Sequence, residues 1–371
     1  VSGRPNALAI RMLLSCLVDA DYRDASGKAE MAPITPRWQE RLERLDCYIA
    51  AKPSGTERDS LRDDMYRFCR TCSLDDVRMF YCDSPVGTGK TTAMLAVMLR
   101  LAIERGLRHI VIVVPYTSII TQIVNVLRDA VVLDDERATA EYVVAEHHHH
   151  ADYDEPQARE MSASWTAPII VTTAVQFFES LAGNLPAKLR KIHQLPGSAI
   201  WIDESHAALP MQLLPVAWMW LVELSEQWGC AVGLSSGTWV RYWESKPMSE
   251  QMLELPMRSL LSDELSSRLS AFEAKRLIFK LEDADVARAT FRKLDDFIDF
   301  VVSHSGPRLV IMNTIVSAAR VAQAMRKREM NVLHLSTALS PTDSTPTPCA
   351  ACSTRSPSTR CVRGSRPRTR L

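Results

Sequence analysis

No apolar run in this 371-residue chain approaches the roughly 20 residues that a membrane-crossing helix needs, and runs such as Ile110–Val114 stop far short of it. Residues 7–18 are apolar enough to resemble the core of a secretory signal. Arg11 interrupts them, however, and Asp19 and Asp21 stand where a small-residue cleavage site belongs. The expectation is a cytoplasmic protein with no membrane partner. Charge of one sign is lacking too: Lys+Arg and Asp+Glu both total 44, so a nucleic-acid surface would have to be a local stripe. A disulfide framework is also absent. The nine cysteines are scattered through a long chain without an export signal and read as reduced thiols. Two pairs, Cys69/Cys72 and Cys349/Cys352, have CxxC spacing, but they lie far apart and the second sits in a segment not expected to fold, so a four-thiolate zinc site is not expected.

What the chain does have is 46% hydrophobic residues, ample for two or three domains. Ile10, Leu13, Leu14, Leu17 and Val18 recur at helical spacing and predict one amphipathic helix with a buried face. Residues 23–60 are polar, with Pro33, Pro36 and Pro53, and read as a linker with one short helix. From about residue 76 short apolar runs at 78–82, 110–114, 169–172, 199–202 and 231–234 alternate with helix-length stretches such as 92–105. That rhythm predicts parallel strands buried on both faces, an α/β fold. After a polar, helical stretch from 250 to 300, a strand at 309–312, a helix at 317–327 and a strand at 332–335 restart the alternation, like the opening of a second α/β domain. In residues 341–371 Pro, Ser and Thr dominate, six arginines appear with no lysine, and Val362 and Leu371 are the only large aliphatics. Disorder is expected there. Two readings stand: a natural basic tail that touches phosphates, or, favoured here, a shifted reading frame.

The strongest local pattern is Ser84-Pro85-Val86-Gly87-Thr88-Gly89-Lys90-Thr91, followed by Thr92, between a predicted strand and a predicted helix. Backbone amides and a helix N-terminus in such a loop wrap a polyphosphate, because unsatisfied N–H groups and the helix dipole both face the anion. Lys90 would reach the β and γ phosphates of ATP and the Thr91 hydroxyl would ligate Mg²⁺. The pattern departs from GxxxxGK[ST] at its first position, where Ser84 replaces glycine.

The strand at 199–202 delivers Asp203-Glu204-Ser205-His206 at its carboxyl end, the edge where open parallel sheets bind ligands. Asp203 would hold Mg²⁺, Glu204 would polarise the attacking water, and His206 would link the site to a neighbouring segment. That segment follows the strand at 231–234: Ser236, Gly237 and Thr238, placed to hydrogen-bond the acidic loop and report nucleotide state. The run His147 to His150 reads as a loop, since four adjacent histidines cannot all face one ion.

The order of SPVGTGKT, VVPYTSIITQ at 113–122, DESH and SGT resembles motifs I, Ia, II and III of superfamily 2 helicases. Trp165 with Ala167-Pro168-Ile169-Ile170-Val171-Thr172-Thr173-Ala174-Val175-Gln176-Phe177-Phe178-Glu179-Ser180 resembles, more specifically, the CRISPR-associated helicase-nuclease of type I interference systems. The resemblance covers roughly residues 76–340. It implies RecA-like domains that use ATP and Mg²⁺ to pull on single-stranded DNA after recruitment by an RNA-guided surveillance complex. Pro115, Tyr116, Thr117, Ser118, Thr172, Thr173 and Gln176 would then contact the DNA, mainly its backbone. Residues 15–22 resemble the end of that family's HD nuclease domain, with Asp21 matching its final metal-binding aspartate. One carboxylate cannot assemble a two-metal site, so nuclease activity is not expected. Residues 311–314 resemble motif IV and 334–337 the next element, while nothing after 340 resembles motifs V or VI. The division this implies is an HD remnant at 1–22, a linker at 23–60, a RecA-like domain at 61–248, a linker and partial second RecA-like domain at 249–340, and a tail at 341–371. The expected function is DNA translocation in antiviral defence; the alternative is a truncated remnant that binds ATP without unwinding.

Overall fold

Alternate residues of the short apolar runs turn to opposite faces of one sheet, and each face is covered. The computed structural model describes residues 7–27, 34–148, 156–208, 210–237, 257–275, 293–328 and 330–335. It divides into two compact units, Val1–Ile278 and Phe279–Leu371. The tail at 341–371, Thr238, His149, His150, the Cys349/Cys352 pair and the residues 336 and 337 lie outside the described residues.

The first unit is built on a seven-stranded, wholly parallel sheet. Its strands are β1 (Met79–Asp83), β2 (Ile110–Val114), β3 (Val144–His147), β4 (Ile169–Thr173), β5 (Ala199–Ile202), β6 (Ala231–Ser236) and β7 (Arg258–Ser259), in the spatial order β3-β4-β2-β5-β6-β1-β7. Parallel strands need crossovers, and helices between them cover both faces. Ile110, Ile112 and Val114 belong to one core and Val111 and Val113 to the other, so the run between them is continuously buried. Because every strand points the same way, Asp83, Val114, Thr173, Ile202 and Ser236 all end at one edge. This is the RecA-like α/β architecture.

Helices α1 (Ala7–Ser26), α2 (Trp38–Ala50), α3 (Glu57–Thr71) and α4 (Lys90–Glu104) show how the layers form. Every residue from Ala93 to Ala102 of α4 is buried, because α2 and α3 pack over its outer side. Residues 38–50, expected as part of a linker, are thus core: Trp38, Arg41, Leu42 and Leu45 face inward. Arg41 is fully buried, and its charge is met by Glu136 at 2.6 and 2.9 Å and by the Pro36 and Val131 carbonyls. Such satisfaction is required, since an unpaired buried charge costs several kcal/mol. Thr56 starts α3 with a reciprocal capping pair to Asp59. On the other face, Leu8 and Met12 of α1 enter the second core, and Asp19 is buried against Arg190 at 3.1 Å. Ile10, Leu13, Leu14 and Leu17, expected on the buried face of that helix, are exposed instead, because Leu8, Met12, Ser15 and Asp19 form the stripe that docks. Among the described residues no helix is long and apolar enough to cross a membrane.

In the second unit helices Leu294–Ser303 and Ile315–Lys327 enclose Ile298, Val301, Val321 and Met325. The strands expected at 309–312 and 332–335 do not form: both stretches lack ladder pairing. Val310, Met312 and Val332 lean on the helices, whereas Leu309, Ile311, Leu333 and Leu335 are exposed, so only one side of either stretch is covered. A parallel strand needs both sides covered, and these have one.

His109, immediately before β2, is buried with Nδ1 2.8 Å from the Ala167 carbonyl, and burial pushes its pKa down to about 4. In the unfolded chain a histidine titrates near 6.5. Between those values the unfolded state takes up a proton that the folded state refuses, so stability falls as pH falls, by up to about 1.4 kcal/mol per pH unit. Urea midpoints of His109→Gln, which cannot titrate, are expected to lose about one proton of this slope between pH 6.5 and 4.5. An unchanged slope would show that His109 is not the source.

Candidate nucleotide-binding site

The loop after β1 is tied to itself before any ligand is considered. Ser84 is fully buried, its hydroxyl 2.5 Å from that of Thr88, and the Thr88 hydroxyl donates to the Pro85 carbonyl at 2.8 Å. Ser84 therefore fits where the pattern has glycine and adds a brace across the turn. Gly87 and Gly89 have φ of 88° and 84°, the left-handed region that glycine enters at no steric cost. Gly89 is the N-cap of α4 and supplies no side-chain cap, so the first-turn amides of α4 are free for an anion. Thr92 donates back to the Gly89 carbonyl at 3.0 Å, and Val86 is exposed at the loop tip.

Lys90 opens α4 and points across the sheet edge. Its Nζ lies 2.9 Å from Glu204 Oε1 and 3.5 Å from Asp203 Oδ1, with Lys90 and Asp203 about nine-tenths buried. Beyond the tip of β5, Glu204 has a φ of 45°, an uncommon conformation for a residue with a side chain. Burial would raise its carboxyl pKa, but the hydrogen bond and charge of Lys90, with the Gly237 N–H, outweigh that and hold it below the ordinary value. From β6, the Gly237 N–H reaches Glu204 Oε2 at 3.3 Å and the Ser236 hydroxyl lies 2.7 Å from His206 Nδ1. A Cβ at Gly237 would lie 2.9 Å from Val86 Cγ2, so any larger residue there would require the exposed Val86 side chain to shift. Ser235 donates to Asp203 Oδ1 at 2.6 Å and accepts from Trp201 Nε1 at 2.8 Å. Three strands thus bring Lys90, Asp203, Glu204, His206, Ser236 and Gly237 together, with Thr91 in the first turn of α4.

Other expected site residues fall elsewhere. Thr172 and Thr173 are buried and already engaged: the Thr172 hydroxyl donates to the His147 carbonyl at 2.9 Å, and that of Thr173 caps the next helix by accepting from the Gln176 N–H at 3.1 Å. Pro115 and Gln176 are half-buried, Tyr116 is exposed as the N-cap of helix Thr117–Val131, and Thr117 and Ser118 lie in its first turn. Asp21 is exposed on α1, and no group of three or more potential metal ligands gathers among the described residues. Burial raises the Cys69 and Cys72 pKa values and pushes Cys82 up to about 12, leaving protonated thiols at neutral pH. His147 ends β3 against Trp165, whose Nε1 lies 3.1 Å from its Nδ1, rather than in a loop. Sequence reasoning missed Arg62, which donates to the Gly87 carbonyl at 2.8 Å, and Trp201; neither belongs to a phosphate-loop or acidic pattern.

Residues 70–238 match the family model of the DEAD/DEAH box helicases. This segment is a DEAD/DEAH box helicase domain. A search of curated proteins finds no match for the chain. Among solved structures, the DEAD-box helicase Mss116 bound to ssRNA and UDP-BeF is similar at 14% identity and a TM-score of 0.40, over 60% of this chain and 44% of that one. The DUF1998 helicase MrfA bound to DNA is similar at 16% identity and a TM-score of 0.40, over 63% and 31%. T. fusca Cas3 with AMPPNP is similar at 20% identity and a TM-score of 0.38, over 62% and 25%. The chain spans less than half the length of each of these structures.

Without Lys90, the helicase domain would hold Asp203 and Glu204 side by side with no cation between them. Lys90→Ala is expected to lower the urea-unfolding free energy by about 1–3 kcal/mol, and Glu204→Gln in the same chain to restore much of it. Additive losses would contradict the pairing.

Proposed function

We propose that this chain is the ATP-hydrolysing part of a nucleic-acid motor that pulls on single-stranded DNA. The observation that carries the reading is the convergence of Lys90, Asp203 and Glu204 beside the uncapped N-terminus of α4. A lysine already neutralised by two carboxylates, next to free helix amides, fits a polyphosphate with a divalent cation: the lysine can leave one anion for another, and the carboxylates can then turn to the cation. In this reading Lys90 and the loop amides from residue 86 to Thr92 bind the phosphates of ATP. Thr91 and Asp203 would hold Mg²⁺, which would supply positive charge beside the phosphates. Glu204, released from Lys90, orients the attacking water and accepts its proton. Ser236 and Gly237, bonded to His206 and Glu204, carry the change at the phosphate to the next strand.

The finer assignment is to CRISPR interference, after recruitment by an RNA-guided surveillance complex. Its support is the sequence resemblance over Trp165 and residues 167–180, together with residues 115–120. Tyr116, exposed at the carboxyl edge, is suited to stack on a base or lean on the strand. Since Thr172 and Thr173 have internal partners, contact with the strand there would come through exposed Val175 and half-buried Thr117 and Gln176 in the helices that follow β4 and β2.

ATP hydrolysis by the purified chain, with and without single-stranded DNA, tests the reading. DNA-stimulated turnover is expected, lowered at least about a hundredfold by Lys90→Ala and by Glu204→Gln. Turnover indifferent to DNA would point to a different P-loop ATPase, and nucleotide binding without turnover to a non-catalytic remnant.

A further inference from the structure

Two fully buried polar side chains lie directly behind the carboxylates: the Trp201 indole and the Ser235 hydroxyl. Trp201 Nε1 is 2.8 Å from Ser235 Oγ, which is 2.6 Å from Asp203 Oδ1. An indole N–H can only donate, and a carboxylate can only accept. The indole therefore occupies a lone pair of the serine and cannot take its proton, so the Ser235 proton has one destination, Asp203. The direction of this relay, from Trp201 through Ser235 to Asp203, follows from the identities of its two ends. A serine hydroxyl otherwise rotates to suit its surroundings. Here the rotor is held from behind by a fully buried ring. Trp201 belongs to the first core, and opposite it in register is Gly233, where even a Cβ would come within 2.5 Å of Met98 and 2.7 Å of Phe80.

We propose that Trp201 is a positioning residue for the cation that accompanies the nucleotide. Through Ser235 it engages Oδ1 of Asp203 from inside the fold and turns Oδ2 toward the cation. The inference rests on the nucleotide-site reading and extends it to a residue outside the loop and the acidic segment. It also separates two contributions to binding: the loop and Lys90 hold phosphate, while the relay acts only on the cation-dependent part.

The test is equilibrium binding of a fluorescent ATP analogue, titrated with Mg²⁺ and repeated in EDTA, for the full chain, Trp201→Phe, Ser235→Ala and the double variant. The Mg²⁺ concentration for half-maximal binding is expected to rise roughly three- to tenfold in each single variant, the loss of one buried hydrogen bond. The double variant is expected to be no worse than Ser235→Ala, and binding in EDTA to be unchanged in all four. Additive losses, equal losses in EDTA, or a folded Trp201→Phe with unaltered Mg²⁺ dependence would each overturn the proposal. Should Trp201→Phe fail to fold, Ser235→Ala decides, since it removes one oxygen and keeps the ring: wild-type Mg²⁺ dependence there would also overturn it. If the unsubstituted chain bound the analogue no better than Lys90→Ala, the nucleotide-site reading would fall and the relay with it. Binding that Lys90→Ala abolishes but the relay variants leave untouched would sink the relay alone.

Discussion

A lysine held between two carboxylates at one edge of a parallel sheet is the interaction around which the site is arranged. Lys90 comes from the helix after β1, Asp203 and Glu204 from the end of β5, and the groups that fix those carboxylates from the end of β6. None of the three segments could hold this geometry alone. The cation restrains two neighbouring anions that would otherwise repel, and the anions give a mostly buried ammonium the partners it needs. The cluster is thus stable without a ligand and yet composed of groups that a phosphate and a metal ion could re-pair.

Its placement follows from the sheet. β6 pairs with both β5 and β1, so the acidic segment, the phosphate loop and residues 235–237 are set by two adjacent ladders and not by loops. Burial on both faces makes those ladders hard to shift, since sliding any strand would move whole rows of apolar side chains out of their cores. Rigid ladders locate the ends of the strands; the left-handed Gly87 and Gly89 and the close approach at Gly237 then let the loops come together.

Much of this was legible because strands buried on both faces leave continuous apolar runs, as Ile110–Val114 and Ile169–Thr173 do. The phosphate loop and acidic segment were legible as spaced patterns, and the structure places them at one edge. Other parts were hidden for physical reasons. In α2 the inward positions Trp38, Arg41, Leu42 and Leu45 have regular helical spacing, but one is an arginine whose burial depends on a distant Glu136, and prolines at 33, 36 and 53 suggest a break. In α1 the docking stripe includes Ser15 and Asp19, whose partners come from residues about 170 positions away, so composition pointed to the wrong face. The short edge strands β3 and β7 carry little periodicity. Thr172 and Thr173 look like free hydroxyls until the neighbouring strand and helix are in place. Trp201 reads as one more apolar residue in a strand, and its N–H gains meaning only when β6 brings Ser235 beside it.

On the proposed function, the Lys90–Glu204 pair stands where a nucleotide phosphate binds. A crystal structure of the chain with Mg²⁺ and a non-hydrolysable ATP analogue tests it most directly. In it Lys90 Nζ is expected to have left Glu204 for a phosphate oxygen, with α4 amides on the same group and Asp203 facing the metal. A nucleotide bound elsewhere, with Lys90 still on Glu204, would contradict it.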